Sequence, residues 1–122
     1  MSFQQIGEQF CSHYYQTFDT NRAGLVSLYG ETSLLTFEGE QLQGAQAIGQ
    51  KLAGLPFKTA RHVIVKADCQ PVPGSNNVVI FVTGNLFVDD SPNPLKFAQV
   101  FHLAQNGGNY FCANDMFRLN IG

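Results

Sequence analysis

Tryptophan is absent, and lysine and arginine together number only seven. Those seven, Arg22, Lys51, Lys58, Arg61, Lys66, Lys96 and Arg118, are scattered singly. No basic stripe exists to follow a phosphate backbone, which argues against nucleic-acid binding. Charged residues make up 13% of the chain, against roughly 25% in a typical domain. The cysteines, Cys11, Cys69 and Cys112, are odd in number and far apart, with no C-x-x-C. They supply neither a disulfide framework nor a zinc site and read as core thiols in a reducing compartment. There is no N-glycosylation triplet and no basic-then-apolar leader, and no apolar run approaches the ~20 residues of a membrane helix. These absences predict a soluble, intracellular protein. G-x-S-x-G, H-E-x-x-H, the P-loop and G-x-G-x-x-G are also missing, so the common signatures of acyl transfer, zinc hydrolysis and nucleotide binding are excluded.

Apolar surface, by contrast, is plentiful. Hydrophobic residues make up 44% of the 122 positions, and phenylalanine alone supplies 11. With so little charge to cover it, such a chain is left with apolar patches facing outward, and these mark interfaces. The length fits one domain, taken as 1–122, with room for a core that needs no staples.

Phe3, Ile6, Phe10, Tyr14 and Phe18 recur at three- and four-residue steps, predicting a helix over 3–19 with Ser2 and Gln5 as its capping box. Asp19-Thr20-Asn21 breaks it and caps a second, shorter helix. Leu25, Leu28 and Tyr29 give that helix its apolar face, and Gly30 ends it. Strands are predicted at 33–38 and 41–43, then a helix over 44–54 stopped by Gly54 and Pro56. Long strands follow at 59–70, 78–89, 95–105 and 110–121, joined by turns rich in Pro, Gly, Asn and Asp. Helices first and a strand meander after them predict an α+β fold in which helices cover one face of a curved antiparallel sheet.

Strand 78–89 is apolar on both sides. Ile80, Val82, Leu86 and Val88 form one face, and Val79, Phe81 and Phe87 the other. A strand apolar on both sides is covered on both. The helices reach only one, so a second copy of the chain is the simplest cover for the other.

The titratable residues give two candidate constellations. Glu38 ends the first strand, and Asp89 and Asp90 end another. If both ends share one rim, they form an acidic edge around an apolar mouth, suited to a ligand that combines an aromatic group with cations. His13 reads as solvated, and His62 and His102 as hydrogen-bonded strand histidines, although with a nearby carboxylate they could serve acid–base chemistry.

The order and spacing of short pieces across nearly the whole chain resemble the nuclear transport factor 2 family. They are Ile-Gly-Glu-Gln-Phe at 6–10, His-Tyr-Tyr-Gln-Thr-Phe-Asp at 13–19, Phe-Glu-Gly at 37–39, Gln-Gly at 43–44, Leu-Pro-Phe at 55–57, Gln-Pro at 70–71 and Asn-Asp-Met-Phe-Arg-Leu at 114–119. The resemblance implies a cone-shaped fold with an internal apolar cavity, pairing as a homodimer through the sheet. It implies binding without catalysis, cofactor or metal, at the nuclear pore complex, in the nucleus and in the cytoplasm. The implied partners are the GTPase Ran in its GDP form and phenylalanine-glycine repeat nucleoporins. On this sequence, Glu38 and Asp89 match the acidic rim, with Asp90 beside it. Phe37, Leu55, Ala60 and Phe117 match the cavity mouth, and His62 a histidine near it. Phe37 also matches the repeat-binding aromatic, and Phe81 and Met116 match dimer-interface positions.

Two positions depart from the family pattern. Phe37 stands where the family often has Trp, which keeps an aromatic face and loses the indole N–H. Ser91 stands where the family often has a carboxylate; either Asp90 takes over that contact or the contact is missing. Two other readings stay open. The same fold hosts isomerases and dehydratases, in which Tyr14, His62, Asp68 and Asp115 could be recruited to proton transfer. Related modules also act as accessory domains that only dimerise.

Overall fold

The computed structural model describes residues 2–120. Helix α1, Phe3–Thr20, begins at the predicted capping box: the Gln5 amide donates to Ser2 Oγ at 3.2 Å and the Ser2 amide to Gln5 Oε1 at 3.0 Å. Its inner face, Gly7, Cys11, Tyr14, Tyr15 and Phe18, is buried against the sheet. Gly7 allows that approach, because a Cβ there would lie 2.3 Å from Cys69 Sγ. A 3-10 helix, Arg22–Leu28, follows with Leu25 fully buried. The remaining elements are β1 (Tyr29–Phe37), β2 (Glu40–Gln43), α2 (Ala45–Ala53), β3 (Ala60–Pro71), β4 (Val78–Val88), β5 (Leu95–Asn106) and β6 (Asn109–Leu119). Tyr29 and Gly30 were expected to finish the second helix and instead open β1. Tyr29 is drawn into the strand because its hydroxyl finds a buried acceptor, Asp115, on β6. The end of the strand predicted over 110–121 lies outside the described residues.

The strands form a curved, unclosed sheet in the order β2-β1-β6-β5-β4-β3. Four pairings are antiparallel, as expected from the short turns, and β1 runs parallel to β6. No turn joins these two strands, so nothing in the chain's connectivity forces them antiparallel. Inward residues alternate along β4 and β5: Val78, Ile80, Val82 and Leu86 on the first, and Phe97, Gln99, Phe101 and Leu103 on the second. Full burial of a side chain of this size contributes about 1.5–3 kcal/mol. The rings of Tyr14, Tyr15, Phe18, His62, Phe97 and Phe101 occupy the layer between α1 and the sheet, with neighbouring centroids such as Tyr14 and Phe101 4.8 Å apart. A groove of about 730 Å³ lies on the opposite, outer face of the sheet.

Candidate functional site

Strand direction decides whether the acidic residues share a rim. β1 is parallel to β6, while β6 and β4 are both antiparallel to β5, so β1 and β4 point the same way. Glu38 directly follows β1 and Asp89 directly follows β4. Both therefore leave the sheet at the same end. Among the described residues they are the two non-glycines with positive φ, each at 51°. Left-handed backbone is costly for such residues and persists where surroundings over-determine it. Here the surroundings are backbone amides. Asp89 Oδ1 accepts from the amides of Lys58 at 2.9 Å and Thr59 at 3.1 Å, and the Asp89 amide returns a bond to the Thr59 carbonyl at 2.9 Å. Glu38 Oε1 accepts from the Leu119 amide, and the Glu38 amide donates to the Phe117 carbonyl at 3.1 Å. Bonds from Thr59 and then Lys58 hold the Asp89 carboxyl below its ordinary range. One oxygen of each carboxylate is thus anchored, while Asp89 Oδ2 and Glu38 Oε2 make no hydrogen bond among the described residues.

Stacked aromatic rings lie on β1, β6 and β5. Phe37 stacks on Phe117 with centroids 4.8 Å apart and planes 8° from parallel, and Phe117 stacks on Phe97 at 5.5 Å. Leu55 is buried, while Phe37 and Ala60 are half-buried and packed against the core. Lys51 Nζ sits 5.7 Å from the Phe37 centroid and pairs with Glu40 at 2.7 Å. Asp90 is exposed beside Asp89, and Ser91 Oγ is turned to the backbone, accepting from the Asn93 amide at 3.3 Å.

Of the four residues considered for proton transfer, His62 and Asp68 stand apart, while Tyr14 and Asp115 come together. His62 is tied to Asp19, whose Oδ1 lies 2.7 Å from the ring Nδ1 and whose Oδ2 accepts from the His62 amide at 2.9 Å. Asp68 is exposed opposite Phe81 on the outer face. Asp115 and Tyr14 do meet, inside a fully buried network. Tyr29 donates to Asp115 Oδ2 at 2.7 Å, and the Tyr14 hydroxyl lies 3.5 Å from that oxygen and 3.2 Å from the Tyr29 hydroxyl. Gln99 Nε2 donates to Asp115 Oδ1 at 2.8 Å, and Tyr15 donates to Gln99 Oε1 at 2.7 Å. Burial pushes the Asp115 carboxyl up to about 6, against the pull of these donors. Burial also drives the Tyr14, Tyr15 and Tyr29 hydroxyls well above their ordinary range. His13 is exposed, and His102 is held between Asn77 and Asn114. Sequence reasoning did not single out Asp19, Tyr29 or Gln99 for these contacts. Gln99 alone carried a signal, a polar residue at an inward position between Phe97 and Phe101.

The outer face of the sheet is apolar and open. Leu34, Phe81 and Met116 are about half exposed, at 47%, 48% and 51%. Val100 lies between Phe81 and Met116 in the cross-strand register. The large groove runs along this face, lined by Leu34, Val79, Val100 and Met116 among others. Among the described residues, no group of three or more His, Cys, Asp or Glu is placed to hold a metal ion, and no helix is long and apolar enough to cross a membrane.

The nuclear transport factor 2 domain model matches residues 6–119. The chain is 49% identical over 122 residues to nuclear transport factor 2 of Oryza sativa subsp. japonica, covering 100% of both chains. Among solved structures, nuclear transport factor 2 of Cryptosporidium parvum is similar at a TM-score of 0.92 and 50% identity, over 97% of this chain and 94% of that one. A putative scytalone dehydratase from Novosphingobium aromaticivorans shares the fold at a TM-score of 0.79 with 15% identity, over 93% of this chain and 81% of that one.

Proposed function

This chain belongs to the nuclear transport factor 2 family, whose role is nuclear transport, and from that premise we propose that it is a non-enzymatic carrier of Ran in its GDP form. An aromatic side chain of Ran seats on Phe37, Leu55, Ala60 and Phe117. Cationic groups flanking it meet the free oxygens of Glu38 and Asp89, with Asp90 in reserve where Ser91 offers no charge. His62 supports the mouth from beneath through its ring contacts. Phe37 also receives phenylalanine-glycine repeats of nucleoporins, so the carrier works between cytoplasm and nucleus through the pore complex. The whole chain, 1–122, acts as one domain. A second copy covers the outer face, with Phe81 and Met116 in the contact.

The observation that supports this reading is that Glu38 and Asp89, from strands remote in sequence, leave the sheet at the same end, each anchored by backbone amides, with Phe37 stacked on Phe117 beside Glu38. Fixed charges steer and orient a cationic partner, and the buried ring supplies affinity. The test is a pull-down with Ran loaded with GDP or GTP. Selective capture of the GDP form is expected. Capture of neither refutes the assignment and returns attention to the buried Asp115 network.

A further inference from the structure

We propose that Arg22 is a positioning residue for the acidic rim: with Asp19 it clamps the connection between α2 and β3 so that the amides of Lys58 and Thr59 hold Asp89 in its binding orientation. The inference rests on the rim being the cargo site. Arg22 touches neither the rim carboxylates nor the stacked rings in the observed contacts; it acts through the segment it grips, with a smaller direct effect of its charge on Asp89.

The grip has two ends. Arg22 Nη2 donates to the Phe57 carbonyl at 2.9 Å, and the guanidinium lies over the Phe57 ring at 4.5 Å and near the Phe18 ring at 5.7 Å. Four residues after Lys58, Asp19 holds both the amide and the ring of His62. Both gripping residues come from the junction between α1 and the 3-10 helix. The stretch between the grips, 58–61, carries the two amides that bind Asp89 Oδ1. A flat guanidinium suits this task because it stacks on a ring and donates in its own plane. Lys58 and Arg22 also add favourable charge to the Asp89 carboxylate, behind the amide bonds in size. The Arg22 Nε–H is buried and has no partner among the described residues. An orphaned buried donor is tolerated where the rest of the side chain is over-determined, which the ring and carbonyl contacts provide here.

The consequence is directional. When the clamp loosens, the 58–59 amides swing away, Asp89 loses its anchor, and the positive-φ turn relaxes. The rim then presents a wandering carboxylate in place of a fixed one, and the bound cargo dissociates faster.

The experiment compares wild type, Arg22→Gln and Arg22→Lys, reading two quantities. The first is the titration midpoint of the Asp89 carboxyl by carbon-13 NMR, which needs no cargo. The second is the dissociation rate of Ran-GDP. In Arg22→Gln the Asp89 midpoint rises toward the ordinary carboxylate value, and dissociation accelerates roughly ten-fold, the factor for losing about one hydrogen bond to a charged group. Arg22→Lys keeps the charge near Asp89 and a donor but cannot stack flat on Phe57, so it moves both readings the same way by less, and its midpoint shift reports the clamp apart from the charge; an unchanged midpoint in folded Arg22→Lys overturns the clamp. If Arg22→Gln does not fold, the Arg22→Lys readings decide alone. A folded variant with an unchanged Asp89 midpoint overturns the clamp. Should wild type fail to capture Ran-GDP, the functional assignment falls while the midpoint still tests the clamp.

Discussion

Replacing Asp115 with Asn removes the one fully buried carboxyl among the described residues and changes how stability depends on pH. In the folded chain, burial pushes this group up to about 6 from an ordinary value of 3.8, with bonds from Gln99, Tyr29 and Tyr14 opposing the shift. Between those values the folded state binds more protons than the unfolded state, so stability falls as pH rises. The contribution is fully present below the unfolded value and lost once pH has passed the folded one. A difference of about two pKa units, at ~1.36 kcal/mol each, makes the loss about 3 kcal/mol. Asn cannot ionise, so its curve lacks this slope. The variant bears a separate, pH-independent cost, because an amide must stand among donors from Gln99 and Tyr29; leaving one such group unpaired costs about 1–3 kcal/mol. Asp89 pulls the pH dependence the other way, but it is present in both proteins and cancels in the difference. The assay is urea unfolding of both proteins in steps from about pH 4 to about pH 7, at one protein concentration so that association is held fixed. Relative to wild type, Asp115→Asn gains about 2–3 kcal/mol across that range. A difference that stays flat with pH refutes the assignment of a raised, buried carboxyl.

Other predictions follow from the rim and the outer face. Phe37→Ala removes the ring stacked on Phe117, so retention on a column of phenylalanine-glycine repeats drops; equal retention removes Phe37 from that site. Phe81→Glu or Met116→Glu places charge on the open apolar face, and sedimentation then finds monomers where wild type gives dimers. A dimer that survives both substitutions places the interface elsewhere.

The helical face of α1, its capping box and the four long strands were legible because periodicity and turn chemistry act over a few residues. The β1–β6 pairing was not, since it joins segments far apart in the chain with no turn to set direction. Tyr29 illustrates the same limit from the side-chain end. Its spacing with Leu25 and Leu28 fits a helix, yet a buried acceptor on β6 places it in a strand. The candidate site divides similarly. Glu38 and Asp89 stand out as charges at strand ends, and their shared rim follows only from the parallel pairing. Arg22 looked like one more isolated cation, because its carbonyl partner and its nearer ring lie 35 residues away at Phe57. Phe81 was readable as an outward apolar position from strand alternation and Met116 from the resemblance alone, whereas the groove beside them is lined from β1, β2 and β6 together and follows only from their pairing.

The central claim is that a fixed negative charge at the end of β1 captures a cationic cargo. Calorimetric titration of Ran-GDP into wild type, Glu38→Gln and Glu38→Lys tests it most directly, with sedimentation confirming the same association state for all three. Gln keeps an oxygen for the Leu119 amide and removes only the charge, so binding weakens roughly ten- to hundred-fold, the range for a charge-assisted hydrogen bond. Lys reverses the sign and abolishes binding. Wild-type affinity retained by Glu38→Lys would contradict the account.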